Sequence, residues 1–180
     1  ALPDRTVPVT RLVVLSATPT KLASGVFRNE DLQAELTGRL DELLTAAAEP
    51  GMSWLIDPAL LDEVADMSNG YQVQDGDGRR TGSGQRVAAA WLQRFRQLDP
   101  AGGARSLFAN PDLAGAAATE DGSVLTRALT AADEAGGLPR LPLLAWPTGG
   151  VYTEEVDAYL TGDPPLLATN PLHAGVRQTA

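Results

Sequence analysis

Three apolar runs in this chain end on a carboxylate or carboxamide followed directly by proline: Asp57-Pro58 after "MSWLI", Asn110-Pro111 after "ARSLFA" and Asn170-Pro171 after "PLLAT". Asp112 stands two residues past Asn110, and Trp146 closes a further apolar run, "LPLLAW". Glycoside hydrolysis uses two carboxyl groups about 5 to 9.5 Å apart, one of them kept protonated by its surroundings. Asp57 and Asp112 are the pair the sequence offers for those roles, and an indole at Trp146 would suit stacking on a sugar ring. The same junction has a local use. An Asp or Asn N-cap with Pro at the first helical position satisfies an orphan amide at no cost to the ring. On that reading Asp57 caps "PALLDEVADM" and Asn110 caps "PDLAGAAA". A carboxylate in a first helical turn feels the positive end of the helix dipole, which should lower its pKa and so oppose a general-acid role.

Other chemistries lack their residues. A barrel-type metal-dependent deacetylase holds its ion with an aspartate and two histidines, and His173, near the end of the chain, is the single histidine. No metal site is expected, and one terminal histidine supports no Ser-His-Asp arrangement. The segment "DGDGRRTGSG", 75–84, has neither the Lys-Ser/Thr ending of a phosphate loop nor the closing glutamate of a calcium loop. It reads as a flexible loop. "SATPTKLASG", after the first apolar run, lacks the glycine spacing of a dinucleotide site. No cofactor is implied.

A chain of 180 residues, 43% hydrophobic, can bury a sizeable core as one domain. The formal charge of -9 repels nucleic acid and anionic headgroups, and Arg79-Arg80 is the only tight basic cluster. Nucleic acid is therefore not an expected partner. Cysteine is absent, which removes disulfides and thiolate metal sites without fixing a compartment. No run of 18 or more apolar residues is present. Lys21 is the only lysine, and the Arg, Ala and Gly bias fits a GC-rich genome.

Five short runs, 9–17, 52–56, 104–109, 141–146 and 165–169, read as buried strands. Leu32, Leu36, Leu40, Leu43 and Ala47 line one face of a helix over 29–48, and Val87, Trp91, Phe95 and Leu98 do so over 84–98. Ser123 and Thr153 mark the starts of two more, through 135 and 160. Trp54 and Asp57 lie an odd number of residues apart, so the indole should pack under helices while the carboxylate points to the other face. Alternating strand and helix predicts an α/β domain with a parallel sheet over 9–172, between a linker-like segment 1–8 and a polar tail 173–180. Its architecture is expected to be an incomplete or truncated (β/α) barrel, with a five-stranded doubly wound, flavodoxin-like sheet as the alternative. Either places ligands at the carboxyl ends of the strands, so Asp57, Asn110, Asp112, Trp146 and Asn170 form the candidate binding rim.

"SWLIDPALLDEVADMSNGY", "GSGQRVAAAWLQRF", "FANPDLAGAA" and "AWPTGG" together resemble the extracytoplasmic region of uncharacterised, membrane-anchored actinobacterial proteins encoded beside a lipid II flippase. The resemblance runs from about Val13 to Leu167. It implies a (β/α) barrel similar to those of glycoside hydrolases and polysaccharide deacetylases, in a cell-envelope protein anchored by a membrane segment outside this chain. Asp57 matches the family's "DPALL" aspartate, Asp112 that of its "DPD" pattern, and Trp146-Pro147 its "WP". Asn110 departs from the aspartate more usual there, which weakens an acid/base role. The expectation that follows is a non-catalytic envelope domain binding a glycan, a peptidoglycan or lipid-linked precursor, or a partner membrane protein. A glycosidase using Asp57 and Asp112 is the alternative, and an open-sheet small-molecule or signalling domain the third.

Overall fold

A computed structural model describes residues 10–119, 122–135 and 141–146, with residues 154, 156 and 160. Strands β1 (Arg11–Leu15), β2 (Met52–Ile56) and β5 (Gly103–Arg105) form a parallel sheet in the order β1-β2-β5. Val13 pairs with Trp54 and Leu15 with Ile56. Residues 141–146 extend the sheet by a parallel bridge, Arg105 with Leu143, where the Arg105 amide donates to the Pro142 carbonyl and the Leu144 amide donates to the Arg105 carbonyl, both at 2.9 Å. The expected strand there is present among the described residues as isolated bridge positions at Leu143 and Ala145. The expected fifth strand at 165–169, with Asn170, His173 and the segments 1–8 and 173–180, lies outside them.

Parity decides which side chains meet the helices. Val13, Leu15, Trp54 and Ile56 share one face of the sheet and one core with α1 (Asp31–Thr37), α2 (Arg39–Ala47), α3 (Pro58–Asn69) and α4 (Gln85–Phe95). Leu12 and Val14, on the opposite face, are half-buried. A doubly wound sheet of flavodoxin type has its first strand between the second and third and helices on both faces. Here β2 is central and α1 to α4 share a single face, so that alternative is corrected. The fold is α/β with a parallel sheet, and among the described residues that sheet does not close into a barrel.

Helical periodicity predicted the apolar faces better than the ends. The run 29–48 is two helices, interrupted at Gly38 (φ -120°, ψ -111°), whose amide donates to the Glu35 carbonyl. The helix expected from Ser123 is α6, Gly122–Glu134. It forms a second core with Leu113 of α5 (Leu113–Ala118), Leu107 and Val156.

The segment 75–84, expected as a flexible loop, contains strand β4 (Gly78–Thr81), paired antiparallel with β3 (Gln72–Asp75). Gly76, at φ 56°, supplies the positive dihedral that a two-residue hairpin turn requires. Glu30 fastens this hairpin from outside: its carboxylate accepts from Arg80 Nη2 at 2.6 Å, the Ser83 amide at 2.7 Å and the Ser83 hydroxyl at 2.9 Å. Those bonds, Arg80 foremost, hold the Glu30 pKa down at about 2. The Tyr71 ring lies edge-on to Phe27 at 4.8 Å, and a Cβ added at Gly82 would fall 2.1 Å from that ring. Close approach, rather than dihedral freedom, requires glycine at 82.

Trp91 is 1% exposed, stacks on Phe95 at 5.7 Å and donates its Nε1 proton to the Leu40 carbonyl. Trp91→Ala is expected to cost about 3 to 5 kcal/mol in chemical denaturation. A loss below about 1 kcal/mol would contradict its place in the core. Gly82→Ala, which forces the Tyr71 ring to move, is expected to cost about 1 to 3 kcal/mol in the same measurement; an unchanged midpoint would show that the ring is not seated there.

Candidate functional site

Pro58 starts α3 at its first position, and Asp57 is its N-cap, with extended backbone (φ -79°, ψ 119°) and its Oδ1 accepting from the Ala59 amide at 2.9 Å. The same oxygen accepts from the Ala109 amide, also at 2.9 Å. One carboxylate oxygen thus joins the exit from β2 to the exit from β5, 52 residues away. Asp57 is 4% exposed, and Oδ2 has no hydrogen bond among the described residues.

Burial is the largest influence on this group. It pushes the Asp57 pKa up from 3.8 to about 6, against the lowering effect of the two amides, and the nearby Glu63 charge adds to the rise. The expectation of a carboxyl held low by its helix is corrected: desolvation outweighs the cap.

Asn110 is not the cap that the sequence suggested. Ala109 (φ 57°) and Asn110 (φ 38°) both have left-handed backbone and turn the chain away from the sheet before the helix begins. The cap of α5 is Asp112, whose Oδ1 accepts from the Gly115 amide at 3.1 Å. Asp112 is exposed. The Asn110 Oδ1 atom is buried without a hydrogen-bond partner. Non-glycine residues held at positive φ cost about 1 to 3 kcal/mol each and persist where their surroundings over-determine them. The bond from Ala109 to Asp57 is such a constraint. Trp146 is half-buried, two residues beyond the Leu144 amide that donates to the Arg105 carbonyl at 2.9 Å. The structure therefore brings Asp57 against the Ala109–Asn110 turn, keeps Asp112 near it in sequence but occupied with its own helix, and leaves Asn170 outside the described residues.

Sequence reasoning missed Glu63, which is 5% exposed. Its carboxylate accepts from the Thr20 amide at 2.9 and 3.0 Å, the Thr20 hydroxyl at 2.8 Å and the Lys21 amide at 3.0 Å. This fixes the loop following β1 above the strand ends. The signal was its spacing: Glu63 shares the apolar stripe of Leu60, Val64 and Met67, where a carboxylate needs partners. Lys21 Nζ reaches Asp62 at 2.8 Å and Asp66 at 2.5 Å, which raises its pKa against the lowering effect of burial, the largest single influence.

These elements enclose a cleft of about 190 Å³, with Pro19, Leu22, Ala59, Glu63, Phe108 and Ala109 among its walls. A second hollow, about 460 Å³, lies on the other side of the same loop, beside Thr18, Arg28 and Arg39. Arg39 is engaged there with Glu35 at 2.6 Å and the Ser16 carbonyl at 2.8 Å. Among the described residues, no three His, Cys, Asp or Glu side chains are grouped to hold a metal ion, and no helix is long and apolar enough to cross a membrane.

Comparison with protein-family models, with curated proteins and with solved structures gives no significant match for this chain.

An Asp57 whose folded pKa lies above its unfolded value binds its proton more tightly in the native state. Its contribution favours the fold below pH 3.8 and is lost as the pH rises through about 6. Over that interval it amounts to about 3 kcal/mol at most. Glu30 acts oppositely and in a separate window, with stabilisation lost as the pH falls from 4.5 toward about 2. Asparagine can accept both amide bonds without a charge, so Asp57→Asn should be at least as stable as wild type at pH 7.5. The stability difference between the two proteins should shrink as the pH falls from 7 to 4. Denaturant melts across that range check it; a difference independent of pH would contradict the buried, ionised carboxylate.

Proposed function

We propose that this domain is a non-catalytic binding module, part of the wall of a hydrolase-like (β/α) barrel, and that its strand-end rim takes a cell-wall glycan, a peptidoglycan or lipid-linked precursor, or a partner membrane protein. The observation that carries this reading is the commitment of both candidate carboxylates to backbone amides. Asp57 holds Ala59 and Ala109, and Asp112 holds Gly115. The sequential order β1-β2-β5, with residues 141–146 beside β5, supports the barrel-wall reading, because successive barrel strands are neighbours. An extracytoplasmic, membrane-anchored setting is supported by the sequence resemblance, with the anchor outside this chain.

One observation favours the glycosidase reading. A carboxyl group with a pKa of about 6, as at Asp57, suits a general acid. Asp112 fits its partner role poorly, since its carboxylate is exposed and occupied at the start of α5.

The test titrates peptidoglycan fragments and soluble cell-wall oligosaccharides into the isotope-labelled domain, alongside a hydrolysis screen on the same materials. Saturable shifts at Lys21, Ala59 and Ala109, with no product released, are expected. Turnover that disappears in both Asp57→Asn and Asp112→Asn, each shown to be folded, would replace the binding module with a hydrolase.

A further inference from the structure

The larger hollow, about 460 Å³, lies just past the end of β1, between residues 17–20 and the segment that runs from Arg28 into α1 and α2. Its walls are fixed. The Thr20 amide donates to both Glu63 oxygens at 2.9 and 3.0 Å, and the Thr20 carbonyl accepts the Arg28 amide at 2.8 Å. Arg39 holds Glu35 through Nε at 2.6 Å and the Ser16 carbonyl through Nη2 at 2.8 Å. Four charged side chains line the space, and three of them have partners: Arg39 and Glu35 hold each other, and Asp31 Oδ2 accepts from Asn29 Nδ2 at 2.5 Å. The fourth, Arg28, is exposed, and its guanidinium makes no hydrogen bond or ion pair among the described residues.

A guanidinium without a partner, on a backbone tied to its neighbour, presents a planar fork of donors that matches the oxygens of a carboxylate or a phosphate. The overall charge of -9 does not override it, because exposed charges are screened over about 8 Å at physiological ionic strength, whereas the fork acts at contact. The hollow also offers acceptors. Asp31 Oδ1 and Glu35 Oε1 make no hydrogen bond among the described residues, and neither does the Thr18 hydroxyl. Ala17, Pro19 and Leu32 supply the apolar side chains. A bare anion would leave the acceptors unused, and an apolar ligand would leave the guanidinium unused. A ring that carries hydroxyls together with one oxyanion engages both. At about 30 Å³ for each water-sized share of volume, the hollow accepts roughly fifteen non-hydrogen atoms, the size of one such ring.

We propose that this hollow binds an acidic sugar, a single ring bearing a carboxylate or a phosphate, with Arg28 taking the oxyanion and Asp31 and Glu35 accepting from ring hydroxyls. The assignment rests on the reading of the strand-end rim as a glycan-binding surface and names the class of glycan that the rim selects. Arg39 is a positioning residue, since its bonds to Glu35 and to the Ser16 carbonyl hold the wall in place before a ligand arrives.

The experiment uses the whole chain at pH 7.5, with amide shifts followed during titration by D-glucuronate, glucose 6-phosphate, D-glucose, acetate and inorganic phosphate. Saturable shifts at Thr18, Arg28 and Leu32 are expected with at least one acidic sugar. Binding should be at least about tenfold weaker for glucose, which lacks the oxyanion, the scale of one lost charge-assisted hydrogen bond. Acetate and phosphate, which lack the ring, should be weaker by a similar factor. Arg28→Gln, shown by its melt to be folded, should lose acidic-sugar binding to the level of glucose. Arg79→Gln, which removes an exposed arginine of β4 that does not line the hollow, should leave it unchanged. The two acidic sugars separate the sources: tighter glucuronate identifies a carboxylate, tighter glucose 6-phosphate a phosphate. Absence of saturable shifts with both, an affinity unchanged in Arg28→Gln, or glucose or the free anions binding as tightly as the acidic sugars would overturn the assignment. If cell-wall oligosaccharides still shift Lys21, Ala59 and Ala109 while the acidic sugars do not bind, only this assignment fails; if neither binds, the rim reading fails with it.

Discussion

The strand-end surface depends on a single carboxylate oxygen. Asp57 Oδ1 accepts the Ala59 amide at the start of α3 and the Ala109 amide in the turn after β5. Without the second bond, nothing else described here would hold the Ala109 amide in the left-handed turn, whose two residues have Cβ atoms that disfavour positive φ. The constraint has an electrostatic cost because the acceptor is buried and ionisable. A carboxamide could accept the same pair of bonds with no charge, so capping alone does not require an aspartate. Strain of that kind, where a less stable residue stands in for an adequate neutral one, is characteristic of sites under functional demand.

Glu63 shows the contrasting solution to the same problem. It too is a buried carboxylate, six positions along from Asp57, yet its oxygens are surrounded by donors from Thr20 and Lys21. Its role is to hold the loop that forms the opposite wall of the cleft. Both carboxylates serve architecture, Glu63 at the loop after β1 and Asp57 at the two strand exits. Lys21 completes the arrangement: its amide donates to Glu63 while its Nζ is paired with Asp62 and Asp66.

Local rules made much of this legible in the sequence. Alternation placed Trp54 under the helices, where its ring lies edge-on to Phe95 at 5.4 Å, and the Asp57-Pro58 pair announced the start of α3. The identical-looking Asn110-Pro111 pair misleads, because the backbone around it is set by a bond from 52 residues away and the helix waits for Asp112. The hairpin escaped notice for a related reason. The Asp75-Gly76 pair is a turn signal, but Val73 is the one buried residue of its two strands, so no alternation of apolar residues marks them. Their order comes from Glu30, 50 residues before Arg80. The pKa of Asp57 was misjudged because a cap is visible in sequence, whereas the burial that outweighs it is a property of the assembled fold.

Those long-range constraints also bear on the choice between hydrolysis and recognition. A glycosidase separates two carboxyl groups into an acid and a base by giving them different surroundings around a shared space. Here the surroundings of Asp57 and Asp112 differ, buried in one case and exposed in the other, but each oxygen that makes a described bond serves the start of a helix or a strand exit. Glu63, the carboxylate nearest to Asp57 in its electrostatic effect, is saturated by the loop it anchors. Carboxylates committed in this way to backbone amides do not by themselves divide the work of proton donation and nucleophilic attack between an acid and a nucleophile around a shared space.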